Sequence, residues 1–148
     1  MALDFDAVAV ALAAAVTGAA VAVNGQTVTA TDFVPDAPTP PHFVVAEFVN
    51  EYHQTYGSAG MDHVTVKCRL LTSRGSDAEG QRTLRKLATL TGVGSIPAAI
   101  EAARGTPGQM ALSGAADDLA LVSVTGPRLY EIGAVDFYGL EFSVLVIG

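Results

Sequence analysis

The side chains of this sequence that could carry chemistry are three histidines, one cysteine and a stretch of serines and arginines between residues 73 and 105. His42, His53 and His63, with Asp62 nearby, are the only raw material for a metal site. His53 and His63 flank a polar segment, but the intervening residues 54–62 match no zinc-ligand spacing. They read as the ends of a loop, with no metal expected. Covalent catalysis needs an activated nucleophile beside a base. Cys68 falls in phase with Val64, Val66 and Leu70, so it reads as a core thiol. "GVGSIP" begins like a dinucleotide fingerprint, yet Pro97 stands where the third glycine belongs, and a helical pattern precedes it instead of a strand. Neither a Gly-Lys-Ser/Thr phosphate loop nor a Gly-x-Ser-x-Gly elbow occurs. The expectation is a non-enzymatic chain without a cofactor.

What remains is recognition of other molecules. Arg74, Arg82, Arg85, Lys86 and Arg104 lie on or beside two helical patterns, either as a solvated face with local partners at Asp77 and Glu79 or as a surface that meets carboxylates on a neighbour. Tyr52 and Tyr56, with His53 between them, suit the second reading, since tyrosine is common at protein interfaces. Complementary acid is available. Residues 1–66 hold Asp4, Asp6, Asp32, Asp36, Glu47, Glu51 and Asp62 and no Lys or Arg, whereas the remaining residues balance the two signs. Asp32 and Asp36 are the expected partners of Arg82 and Arg85 in a contact between subunits. The net charge of −7 argues against wrapping a nucleic acid.

These residues need a scaffold, and 148 residues suffice for one domain with a single core, spanning 1–148. Charged residues make up 16%, against about a quarter in ordinary domains, which fits a surface partly covered by other chains, or simply an alanine-rich composition. One cysteine fits a reducing compartment. "MALDFD" lacks the basic start of a secretory leader, and no apolar run suits a bilayer span.

Asp4 predicts the cap of a helix over 5–19, with Phe5, Val8, Leu12, Val16 and Ala19 on one face. "QTVTATDFV" alternates like a strand, and "PDAPTPP" must then leave the sheet, because proline donates no ladder hydrogen bond. Strands are predicted over 42–52 and 63–72, as an antiparallel pair around the loop "HQTYGSAGMD". Ser76 and Glu79 form a capping box for a helix whose buried stripe is Leu84, Leu87, Ala88 and Thr91. Ser95 caps a shorter helix with Pro97 in its first turn, ended by Gly105. "LALVSV" (119–124) and "GLEFSVLVIG" (139–148) alternate as strands, with "RLYEIGAV" (128–135) a weaker candidate between them. The segregation of strands and helices predicts an α+β fold.

In order, a leading helix, "FVPDAPTPPHFVV", "EYHQTYGSAGMDHVTVKCRLLTSRGSDAEGQRTL", "TGVGSIPAAIEA" and "YGLEFSVLVIG" resemble the tail terminator proteins of tailed bacteriophages, closest to those of actinobacterial siphophages. The most specific part is the strand ending in "SRGSDAEGQ", followed by Gly-x-x-Ser-Ile/Val-x-x-Ala. Arg85-Lys86 depart from it, since an acidic residue is more usual after the leucine. The resemblance implies a mixed, largely antiparallel sheet with two to three helices on one face. It implies a ring, usually of six subunits, in the virion at the head-proximal end of the tail, assembled in the host cytoplasm. Such a ring stops tube polymerisation and offers the filled head a docking surface. Its partners would be copies of itself, the tail tube protein and a head-completion or connector protein, with DNA passing through the lumen unbound and no membrane involved. Alternatives are a head-closure or connector ring subunit, or a small cytosolic ligand-binding domain or enzyme.

Overall fold

The computed structural model describes residues 4–19, 21–23, 26–36, 41–50, 63–72, 81–82, 85–87, 95–104, 110–133 and 135–148. Helix α1 (Phe5–Gly18) starts where Asp4 accepts from the amides of Asp6 at 3.0 Å and Ala7 at 3.2 Å, satisfying donors that the first turn leaves open. Of its expected apolar stripe, Val8, Leu12 and Val16 are buried. Phe5 instead lies at the margin, stacked on Phe48 with ring centroids 5.1 Å apart.

The single strand expected over 26–34 is two short pieces. A preceding strand, β1 (Ala22–Val23), pairs antiparallel with the first piece, β2 (Gln26–Thr27), and the second, β3 (Thr29–Thr31), pairs parallel with β4 (His42–Asn50). Val28 separates β2 from β3: it is buried, and its amide donates to the Val21 carbonyl at 2.8 Å, so the chain kinks inward there. A parallel partner requires the chain to return to its starting end before β4 begins at His42.

β4 and β5 (His63–Thr72) form the expected antiparallel pair, with β4 ending at Asn50 among the described residues. β7 (Val135–Ile147) lies against β5, and β6 (Asp118–Ile132) against β7, giving one mixed sheet in the order β3-β4-β5-β7-β6. The fold is α+β, and the sheet is antiparallel except at β3–β4. The candidates over 119–124 and 128–135 are corrected by the structure: β6 runs through both, and the turn at Gly133 falls inside the second. Continuity is kept by a bulge at Gly126-Pro127, opposite Leu140. Gly126 has φ 131°, a conformation open to glycine. A Cβ there would stand 2.9 Å from a methyl of Leu140.

Helix α2 (Ile96–Ala102) is capped as expected, Ser95 Oγ accepting from the Ala98 amide at 3.2 Å. It ends at Ala102, ahead of the predicted stop at Gly105, which is outside the described residues. Residues 81–82 and 85–87 are helical, and Leu87 is buried as its predicted stripe requires. Leu84, Ala88 and Thr91 of that stripe, and the capping box at Ser76 and Glu79, also lie outside the described residues.

Leu87, α1 and α2 cover one face of the sheet, packing with Phe43, Val45, Val66, Cys68, Leu70, Phe142 and Val144 into the main core. Phe43 and Phe142 meet there at 6.3 Å and 54°, a tilted arrangement that aromatic quadrupoles favour. The alternation in β4 breaks at Ala46, where a bulge lets Phe43, Val45 and Phe48 all reach this face.

Candidate protein-interaction surface

Strand parity puts Val44, Leu71 and Phe137 on the sheet's other face, and all three are buried outside the main core. In the distal half of the β6–β7 hairpin, Tyr130 is paired with Phe137. Tyr130 lies against Gly139, where an added Cβ would be 2.7 Å from its ring, and the Arg69 guanidinium sits 4.7 Å from the ring centroid. The hairpin tip reaches residues that follow β3 at the opposite edge: a Cβ on Gly133 would come 3.7 Å from the Asp36 carbonyl.

This contact makes one surface from two distant segments. Residues 32–36 supply Phe33, 57% exposed, and Val34, with Asp32 half-buried and Asp36 exposed. The hairpin tip supplies Val135, 55% exposed, between Glu131 and Asp136. Neither segment contains Lys or Arg. The segment at 32–36 is anchored through Thr31, whose hydroxyl donates to the Phe33 carbonyl at 2.7 Å. Its only proton is thereby used, so at 2.9 Å His42 Nε2 must be the donor to Thr31 Oγ1. His42 is buried in β4, and its Nε2 carries the proton of that hydrogen bond.

Arg82, Arg85 and Lys86 are exposed on the helical residues preceding Leu87, with Arg85 Nε 3.4 Å from the Gln81 carbonyl. Arg104, expected to share that basic face, has a partner within the chain. It forks onto Asp118 at 2.9 and 3.3 Å, and that guanidinium, helped by the Leu119 amide, holds the Asp118 carboxyl below the ordinary carboxylate range. Asp32 and Asp36 belong to the segment that follows β3, and Arg82 and Arg85 to the helical residues that precede Leu87. Tyr52, His53, Tyr56 and Arg74 lie outside the described residues. Sequence reasoning missed Phe33, Val34, Glu131, Val135 and Asp136. The available signal was the acidic pair around Gly133-Ala134, which marks a solvent-facing turn.

On the back of the sheet Lys67 and Arg69 are held by Glu47 and Glu141. Arg69 lies 3.6 Å from Glu47 and 3.5 Å from Glu141, and Lys67 lies 4.0 Å from Glu141. The lattice has two charges of each sign, so it presents no strong field of its own. Burial pushes the Cys68 thiol up to about 12, leaving it protonated at neutral pH. Between α1 and α2 runs a groove of about 660 Å³ lined by alanines, Gly18, Met110 and Leu112. It offers none of the convergent polar side chains that orient a small ligand. Among the described residues there is no His, Cys, Asp and Glu group suited to a metal ion, and no helix is long and apolar enough to cross a membrane.

The fold is α+β, with an acidic and apolar surface where residues 32–36 meet the β6–β7 hairpin tip. No family model matches the chain, and neither the curated proteins nor the solved structures give a match.

Proposed function

We propose that this chain is a ring-forming structural subunit of a phage tail, acting as the terminator at the head-proximal end of the tube. The observation that supports this reading is the presence of two solvent-reaching groups of opposite charge on different elements, half-buried Asp32 and exposed Asp36 after β3, and exposed Arg82, Arg85 and Lys86 on the helical residues before Leu87. A cyclic assembly needs such a heterologous contact, one patch of each subunit meeting a different patch of the next. The sequence resemblance supplies the setting: a ring that halts tube growth and presents a face to the head. Charges of this kind set register and association rate more than affinity.

Solution mass, measured with and without purified tail tube protein, tests the proposal. A closed oligomer that binds tube ends is the expected result. Binding to portal assemblies in preference to tubes would make the chain a head-closure subunit instead. A protein that stays monomeric under all these conditions would overturn the ring reading.

A further inference from the structure

We infer that Glu101 and the Arg104–Asp118 pair form a clasp over the outer edge of β6, and that the partner it keeps off is the same edge of a second copy of this chain. Among the described residues β6 closes one side of the sheet with no strand beyond it. At 15 residues it far exceeds β3, the edge strand on the opposite side. Open strand edges pair readily with other chains. From Val122 onward this edge is irregular: bulges fall between Leu121 and Ser123 and between Thr125 and Arg128, and Pro127 has no amide to offer. The regular stretch is residues 118–121, which pair with 147–144 without a shift.

The clasp sits on that stretch. Leu119 and Leu121 are two residues apart, so their amides point out from the same edge. Both donate to carboxylates, Leu119 to Asp118 Oδ1 at 2.9 Å and Leu121 to Glu101 Oε1 at 3.2 Å. Glu101 reaches across from α2, and Arg104, just past the end of α2, holds Asp118 at 2.9 and 3.3 Å. A strand added to this edge needs those amides as its donors, so it must displace both carboxylates. The excluded partner follows from length and symmetry: β6 is the longest open edge among the described residues, and two identical edges are self-complementary about a two-fold axis. Their approach also brings the Glu101 carboxylates of both copies to one seam, where like charges oppose pairing.

Amide exchange at dilution, with sedimentation at higher concentration, tests this on the wild type and three variants. Glu101→Ala with Arg104→Ala opens the clasp. Its Leu121 amide should exchange roughly fivefold faster or more, and part of the protein should move to species larger than the wild-type state. Glu101→Gln keeps a carbonyl acceptor for that amide and should behave as the wild type. Val122 is 62% exposed beside the regular stretch, and a lysine on an edge blocks pairing. Adding Val122→Lys to the opened clasp should therefore restore the wild-type state. Larger species that survive Val122→Lys would place the association on another surface and overturn the guard. An opened clasp that keeps the wild-type state would overturn it as well, and unchanged Leu121 exchange would overturn the contact beneath it.

Discussion

Replacing Gly139 with alanine adds one methyl group where the hairpin arm presses on the sheet. Gly139 is buried, and the new Cβ would lie 2.7 and 2.8 Å from two ring carbons of Tyr130 and 2.9 Å from the Leu70 carbonyl oxygen. Carbon pairs prefer about 3.5–4.0 Å, so the ring must retreat by nearly 1 Å. The backbone of Leu70 is held in the β5–β7 ladder and has little freedom to follow. Moving Tyr130 also disturbs its stacking with Arg69, 4.7 Å away. Overpacking of this kind costs about 1–3 kcal/mol. Restricting the unfolded chain returns about 0.4–1 kcal/mol. The net expectation is a loss of about 1–2 kcal/mol, or roughly 2–8 °C in thermal midpoint for a domain of this size. Urea unfolding of the wild type, Gly139→Ala, Tyr130→Ala and the double variant measures it. Because the ring accounts for two of the three close contacts, Gly139→Ala should cost less in the Tyr130→Ala background, with a coupling of about 0.5–2 kcal/mol. A neutral Gly139→Ala, or strict additivity, would refute the packing of the Tyr130 ring over Gly139.

Removing the cap at α2 by Ser95→Ala should cost roughly 0.5–2 kcal/mol, read from the same urea curves, and Ser95→Asp should restore much of it. Cys68 should resist thiol reagents in the folded protein at pH 8 and react on unfolding. Its raised folded value, about 12 against an ordinary 9.0, means that the unfolded state releases its proton first. Its contribution to stability is therefore intact below about pH 9 and declines as pH rises towards 12, a slope that Cys68→Ala should remove. Imidazole nitrogen NMR should find His42 Nε2 protonated. Thr31→Val, which removes the acceptor for that proton, should raise amide exchange at Phe33, Val34 and Asp36; unchanged exchange would mean that Thr31 does not anchor this segment.

The parts of the fold readable from sequence were those in which a local rule coincided with the tertiary outcome. Asp4 and Ser95 are caps whose chemistry lies within three residues, and β5 buries one face throughout, so Val64, Val66, Cys68 and Leu70 alternate cleanly. The bulge at Ala46 and the double bulge in β6 obscure that period, which is why β6 read as two fragments around Gly126-Pro127. Arg104 looked like part of a shared basic face because Asp118, its partner, belongs to a different element. The surface where residues 32–36 meet the β6–β7 hairpin tip was half legible. Asp32 and Asp36 stood out in a segment free of basic residues, but only the folded hairpin brings Gly133 beside them.

The position of β7 bears on when this domain can first exist. It is the last strand in chain order, yet it sits between β5 and β6 in the sheet. While residues 135–147 are still inside a ribosome, β5 has an open edge along His63–Thr72 and the apolar row Val64, Val66, Cys68 and Leu70 lacks its neighbour. An unpaired edge of that length invites pairing with other chains, so slow release of the final strand would expose the nascent protein to aggregation. The same order acts as a timer. Residues 32–36 emerge early, but the hairpin tip that completes their surface folds only with β7, so a growing chain does not present the finished surface before its sheet has closed.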